Sequence, residues 1–518
     1  MKLVLPPRVS ASRFDAALKA MATVVGEEWV LNSDEDRDTY LDAFALDDGA
    51  SHAPSAIVAP DGVEQIQAVV QLANKYKLPI WPIARGKNYG YGGAAPEMPG
   101  TVVLDLSRMK RVLEVNEKNG FCLLEPGVGF FDLYDYLTAH KIDLWMSVPG
   151  NSLGSVVGNA LERGVGPQPY GLHTAQICGL EVVLPTGELV RTGTGAMTGS
   201  QTWNLAPYNY GPTWDQMFCQ SNFGIVTKMG FWLMPAPEAT MSVQVSLPNE
   251  EDLGWVVDRL HPLRLRGVIG QDIAFRNYIA IAAGRSQREQ WYQGDGAMPE
   301  HAAAAMREKL GIGWWTFNVT LYGYEEVIAA NAKIITAALE DGIDKEPVWT
   351  TWRQGDPIER SGAGIPHTRS LHRLNWMGGR GAHLGFSPTL PPDGDKVQAQ
   401  YQRAKKRFEE YRIDYYGSFS LSHRSVTNVN MILFNRDDRV MTENIDRLFH
   451  VLVADAAAQG YGEYRTHLSY MDEVAKTFDF NDNALWRLNE RIKDTLDPAG
   501  ILAPGKQGIW PAAYRAGR

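Results

Sequence analysis

Residues 84–96, ARGKNYGYGGAAP, hold the first arrangement in the chain that could do chemistry. Gly86, Gly90, Gly92 and Gly93 surround Tyr89 and Tyr91, directly after an apolar run, Leu78 to Ile83, that reads as a strand. Clustered glycines supply positive φ and let backbone N–H groups approach an anion closely. Consecutive donors at Arg85, Gly86, Lys87, Asn88, Tyr89 and Gly90 are what a pyrophosphate requires. Taken alone, the loop reads more readily as a glycine-rich surface turn. Three further points could carry chemistry. Tyr464 and Arg465 are adjacent in GYGEYRTHL, His383 sits in RGAHLGFSP, and Lys506 sits in a terminal PGK. Each has a plainer alternative: a surface pair, a solvated or structurally bonded histidine, and a solvated lysine.

The elements that must position these residues can be read from periodicity. Ser55 to Pro60 reads as a buried strand, and Asp61 with Glu64 as a capping box before a helix with Val63, Ile66, Val69, Val70 and Ala73 on one face. With the run Leu78 to Ile83 this forms a β-α-β unit ending in the glycine loop. Strands follow at 101–106, 111–115 and 121–126, the last after an Asn119-Gly120 turn. A helix over 130–141, a hairpin around Thr186-Gly187 and a strand over 224–235 complete this part. After Pro235 the texture changes. Amphipathic helices over 324–341 and 396–412, separated by strand-like runs, suit an α+β domain. A helix over 443–460 and a turn-rich tail close the chain.

Composition excludes several classes. The 518 residues exceed the usual size of one core. A formal charge of −10 argues against nucleic acid and anionic membranes as partners. Cys122, Cys178 and Cys219 lie far apart, which is neither a disulfide framework nor a metal site. The N-terminal MKLVLPPRVSA has no apolar run of signal-peptide or membrane-spanning length, so a cytoplasmic location is expected.

Five segments in one order carry a resemblance: ARGKNYGYGGAAP, GSVVGNALERGVG (154–166), SNFGIVTKMGFWLMP (221–235), GYGEYRTHL (460–468) and LDPAGILAPGKQGIW (496–510). Together the chain resembles the vanillyl-alcohol oxidase / para-cresol methylhydroxylase flavoprotein family, with the eugenol oxidase branch nearest in motifs. The resemblance implies a two-domain α+β fold of the FAD-binding PCMH type. Residues 1–237 and 460–518 would form the FAD-binding domain, and 238–459 an inserted substrate (cap) domain. It implies FAD held by Arg85 to Gly90, by Pro149, Gly150, Ser155, Gly158 and Asn159, by Gly224, Ile225 and Val226, and by Lys506. His383 matches the histidine bonded to the flavin 8α-methyl carbon in the oxidases. The methylhydroxylase subunit links through an earlier tyrosine, whose place is taken here by Leu374. His52 is a candidate base or an ordinary polar contact. Tyr91, Tyr464 and Arg465 match the family's phenol-binding trio. The resemblance further implies a homodimer.

The expected reaction is oxidation of a para-substituted phenol by hydride loss to flavin N5 through a quinone methide, with O2 as acceptor and H2O2 as product. The alternatives are a cytochrome c-coupled dehydrogenase of the same family and a non-catalytic flavin-binding module. Two departures bear on this. The family's oxidases commonly carry an aspartate where SVPGNSLGS has Gly150, followed by Asn151, whose amide cannot accept a proton as a carboxylate does. In GVGPQPYGLH, Pro167, Gln168 and Leu172 replace a tyrosine, a threonine and an acid, and Ser418 and Ser420 stand where larger or acidic side chains are common. A roomier pocket is expected, around Asn151, Pro167, Ser418 and Ser420. It would suit a guaiacyl compound with a longer side chain or a lignin-derived dimer.

Overall fold

The computed structural model describes residues 3–343, 346–357 and 362–515. Short apolar runs build the first sheet. Helix α1 (Ala11–Val25), strands β1 (Val30–Leu31) and β2 (Ile57–Val58), helix α2 (Val63–Tyr76), and strands β3 (Ile80–Ile83) and β4 (Val102–Asp105) follow in order. The strand order is β1-β2-β4-β3, with β4 parallel to both β2 and β3. The expected β-α-β unit is therefore opened by a third strand. Every residue of β4 is buried, as a central parallel strand must be, which is why it enters between the other two. Helix α2 buries Ile66, Val69, Val70 and Ala73 at helical spacing. Its expected capping box does not form. Gly62 is the N-cap, and the Asp61 N–H instead reaches the Gln65 side chain at 2.9 Å.

Strands β5 (Val112–Asn116) and β6 (Phe121–Leu124), helices α3 (Phe130–Ala139) and α4 (Val156–Leu161), and strands β7 (Ile177–Val183), β8 (Leu189–Arg191) and β9 (Ile225–Trp232) come next. They form an antiparallel sheet of order β5-β6-β9-β7-β8. Gly120 and Gly187 turn its two hairpins at φ of 65° and 89°.

The third sheet is larger. In chain order it contains β10 (Ala239–Leu247), helix α5 (Asp252–Leu265), β11 (Ile273–Asn277), β12 (Trp315–Gly323), helix α6 (Glu325–Leu339), β13 (Thr350–Arg353), β14 (Gly381–Phe386), helix α7 (Gly394–Glu410), β15 (Gly417–Leu421), β16 (Val426–Asn435) and helix α8 (Arg439–Ala458). The path β13-β10-β12-β11-β15-β16-β14 is antiparallel throughout. Period-two burial divides its faces. Val243, Val245, Phe275, Trp315, Phe317 and Phe419 pack into one core with Leu253, Ile335, Tyr401 and Phe449 from the helices. By register, Arg276, Ser418, Ser420 and His383 fall on the opposite face. That face turns toward the cavities described below.

The chain then returns to the first sheet. The Ile80 N–H donates to the Ile501 carbonyl at 2.7 Å, and the Ala503 N–H to the Ile80 carbonyl at 2.8 Å. Among the described residues, no helix is long and apolar enough to cross a membrane.

Candidate active site

A cavity of about 410 Å³ lies where β3 runs out, between the first two sheets and the polar face of the third. The glycine loop forms one wall through Arg85, Gly86, Lys87, Asn88, Tyr89 and Tyr91. Gly90 backs that wall at φ of 83°, and a β-carbon there would stand 2.5 Å from His383 Nε2. Only glycine admits so close an approach. The loop's aromatic residues are fixed: Tyr89 stacks on Phe44, ring centroids 5.1 Å apart, and Arg85 pairs with Asp132 at 2.7 Å.

Other segments close the cavity. Pro149, Gly150 and Asn151 line it, as do Ser155, Gly158 and Asn159, and Gly224, Ile225 and Val226 at the start of β9. The Ser155 hydroxyl caps α4 by accepting the Gly158 N–H at 3.1 Å. His383 lines the cavity from β14 beside Leu374, and Arg465 enters from the returning chain. Lys506 lines it too, but its ammonium already meets the Glu162 carboxylate at 2.5 Å and lies 5.6 Å from the Trp81 ring.

Tyr91, Tyr464 and Arg465 come together. The Arg465 guanidinium lies 4.0 Å from the Tyr91 ring centroid and donates to the Asn88 side chain. Tyr464 stands beside them without lining the cavity. Burial holds the Tyr91 phenol well above its ordinary pKa; Tyr464 adds to this and the Arg465 charge opposes it. The Tyr464 phenol is raised for the same first reason, again against Arg465. Both tyrosines thus remain hydroxyl donors at neutral pH. Burial pushes His383 down to about 4, so its imidazole is neutral, and its Nδ1 is buried with no hydrogen-bond partner.

The other expected pocket residues are scattered. Pro167 lines a second cavity of about 1220 Å³ together with Gln168. Gln168 is buried and structurally engaged, accepting from the Ser147 hydroxyl at 3.0 Å and the Val148 N–H at 3.1 Å. Leu172 is half exposed. Ser418 and Ser420 lie in β15 on the correct face of the sheet, but on the wall of neither cavity. His52 is held by the Pro96 and Glu97 carbonyls at 3.2 and 2.9 Å and by Ser469 at 3.0 Å, and lines neither cavity.

Three features escape sequence reading. His467 and Asp42 form a fully buried pair at 2.8 Å although 425 residues separate them. The Glu463 carboxyl accepts the Ser387 N–H, and burial holds it well above the usual carboxylate range. Arg373 lines this cavity and Arg276 the second one. No local pattern marks any of these, because each is made by segments distant in sequence meeting.

The unpartnered His383 Nδ1, Arg465 Nε and Ser221 Oγ, with the glycine loop and its N–H groups, fit a polar, extended cofactor in this cavity. The FAD binding domain family matches residues 54–193, and the C-terminal domain of FAD linked oxidases matches residues 319–507. The flavoprotein subunit of 4-cresol dehydrogenase [hydroxylating] from Pseudomonas putida is 34% identical over 98% of each chain. The chain belongs to this family of PCMH-type FAD-linked flavoproteins. Two solved structures of the family agree. A 4-ethylphenol oxidase from Gulosibacter chungangensis, in complex with isoeugenol, superposes with a TM-score of 0.94 at 35% identity, covering 99% of this chain and 100% of that one. A p-cresol methylhydroxylase with substrate bound gives 0.93 at 33%, covering 98% and 99%. The fold is therefore the two-domain FAD-binding PCMH fold, and the protein is a flavin-dependent oxidoreductase of that family.

Proposed function

We propose that this flavoprotein oxidises para-substituted phenols, namely 4-alkyl or 4-allyl phenols and guaiacols and 4-hydroxybenzylic alcohols. When bound, FAD supplies the two-electron acceptor, taking a hydride from the benzylic carbon at N5. The observation that carries the reading is the meeting of Tyr91 and Arg465 in the cavity that the glycine loop encloses. A phenol has a pKa of about 10, so ionising it near neutral pH costs roughly 4 kcal/mol unless the site helps. The Arg465 charge and the Tyr91 hydroxyl in a dry pocket, backed by Tyr464 beside them, can supply energy of that order. Ionised, the phenol pushes electron density toward the para carbon, and loss of hydride leaves a quinone methide. Water then adds to give an alcohol, or a proton leaves to give an alkene. Neither Gly150 nor Asn151 can take a proton from that water.

In this reading the FAD-contacting residues are those of the glycine loop, the 149–159 and 224–226 segments and Lys506, and His383 is the covalent attachment point. A neutral imidazole with an open nitrogen supports the last role. Acid precipitation of the holoprotein tests it. Yellow colour should stay in the pellet of the native chain and move to the supernatant with His383→Ala; colour retained by the mutant pellet would overturn the assignment. The acceptor is O2, giving H2O2, and the protein acts as a homodimer. Gly150 favours a second reading, a dehydrogenase that passes electrons to a cytochrome c. Peroxide formed one for one with product in air supports the oxidase; turnover only with a cytochrome or dye acceptor supports the dehydrogenase. Anaerobic bleaching of the flavin by a 4-alkylguaiacol tests the chemistry common to both, and a flavin that no phenol bleaches would refute it.

A further inference from the structure

Arg276 lies in β11, opposite Ser418 of β15, on the sheet face shared with His383. It lines the larger cavity. Arg373 lines the smaller one, and its guanidinium lies 5.9 Å from the ring of buried Tyr416. The two cavities adjoin along two crossed segments. The Ser152 N–H donates to the His367 carbonyl and the His367 N–H to the Ser152 hydroxyl, each at 3.1 Å, and the Ser370 hydroxyl donates to the Gly150 carbonyl. Gly150 therefore stands at the boundary and contributes no side chain to it.

Neither arginine has a carboxylate partner among the described residues. The groups that act on Arg276 are Arg373, a like charge, and the Tyr416 phenol. Burial and then Arg373 hold its pKa below the ordinary value. Nearby His367 is lowered by burial and then by Arg369 and Arg373, and its Nδ1 is buried without a partner. Among the described residues, three acids share the larger cavity. Asp272 is already engaged by Arg264 at 2.8 Å and by Ser422 at 2.6 Å, Asp356 accepts the Arg353 N–H at 3.0 Å, and Glu346 is exposed to solvent. Both arginines are half-buried, and Arg276 stands close enough to Arg373 for the like charge to act on it. Cations withdrawn from water are ordinarily paired, so two neighbouring ones without a carboxylate partner leave a site for an anion. The planar guanidinium fork matches a carboxylate better than any other side chain does.

We propose that Arg276 and Arg373 bind a carboxylate at the end of the substrate's para side chain, so that the enzyme's preferred substrates are phenols with an anionic side chain of two or more carbons. This rests on the phenol reading above. The phenolic oxygen is held by the Tyr91 end, the benzylic carbon lies between, and the side chain passes Gly150, where an acid would repel it.

The test uses the holoenzyme with 3-(4-hydroxyphenyl)propanoate, its methyl ester and 4-propylphenol. The acid should exceed the ester in kcat/KM by about ten- to hundredfold, the worth of one charge-assisted hydrogen-bonded pair, and the preference should fall with added salt. Arg276→Gln and Arg373→Gln should raise KM for the acid by a similar factor and leave 4-propylphenol within about twofold. A binding measurement guards against misfolded variants. 4-Hydroxycinnamate has no sp3 benzylic hydrogen to lose, so its Kd can be read directly. It should weaken in both variants and be partly restored by Arg276→Lys, while the Kd of its methyl ester stays constant. Equal use of acid and ester, or variants that lose both alike, overturns the proposal while 4-propylphenol still bleaches the flavin. If no phenol bleaches it, the phenol reading itself fails and this inference falls with it.

Discussion

The two ends of the substrate space differ in how they treat charge. At one end Tyr91, Tyr464, Arg465 and Glu463 are packed close together, and burial dominates the titration of the two tyrosines and the glutamate. At the other, Gly150 is exposed and bears no side chain, and the half-buried Arg276 and Arg373 have no carboxylate partner among the described residues. In a dry site, a fixed charge or donor acts at nearly full strength on the oxygen it faces. In an open site, water screens it and can replace it. On the proposed reading, the first end would govern whether a phenol is ionised and oxidised, and the second which phenol is accepted and what becomes of the quinone methide.

Removing the charge at the dry end should have the largest effect. Arg465→Met deletes the cation that opposes the burial of Tyr91 and Tyr464. The rate of anaerobic flavin reduction should fall by about a thousandfold, equivalent to roughly 4 kcal/mol. A fall of less than tenfold would mean that the phenolate is stabilised elsewhere. Dryness has a second consequence, in stability. His383 titrates at about 4 in the fold, against an ordinary value of 6.5. Between those values the unfolded chain binds the proton and the folded chain does not, so stability rises with pH across about 4 to 6.5. In flavin-free protein, denaturant titrations at pH 4.5 and 7 should differ less for His383→Ala than for the native chain, by up to about 3 kcal/mol. An unchanged difference would show that the site is wet. Tyr91→Phe removes one donor and keeps the packing. It should slow flavin reduction about ten- to thirtyfold, the cost of one hydrogen bond to a charged oxygen.

The contrast between the two ends also marks what sequence can reveal. The Tyr464-Arg465 pair and His383 stand out only through the family resemblance, and the structure brings Arg465 and His383 to the cavity wall. The glycine loop is legible because its backbone is set locally. Strands and amphipathic helices were legible for the same reason, apart from details such as the Gly62 cap and the place of β4 in its sheet. Arg276 was not legible, since its neighbours Arg373 and Tyr416 come from segments about one hundred and more residues away, one a short helix and one the residue before β15. Ser418 and Ser420 misled for a related reason. Their segment reaches the right sheet face, but the cavity wall is made by other residues. Asp42 and His467 belong to the same class of long-range pair.

The open end offers the smallest effect and the finest test. A β-carbon at Gly150 would meet only the Ser370 side chain, at 3.5 and 3.6 Å, which is ordinary contact, and Gly150 is not among the positive-φ residues. Gly150→Asp should therefore fold with stability within about 1 kcal/mol of the native chain. The new carboxylate would stand at the boundary of the two cavities, where it can accept a proton from water. With a neutral substrate such as 4-propylphenol, the alcohol should gain over the alkene by several-fold while the rate of flavin reduction changes little, because the dry end is untouched. With an anionic substrate the same variant should bind more weakly, since a carboxylate now faces the side chain on its way to Arg276 and Arg373. Product ratios from the two substrates, measured on one preparation, separate these effects. An unchanged ratio with 4-propylphenol would show that water at this end needs no acid at position 150.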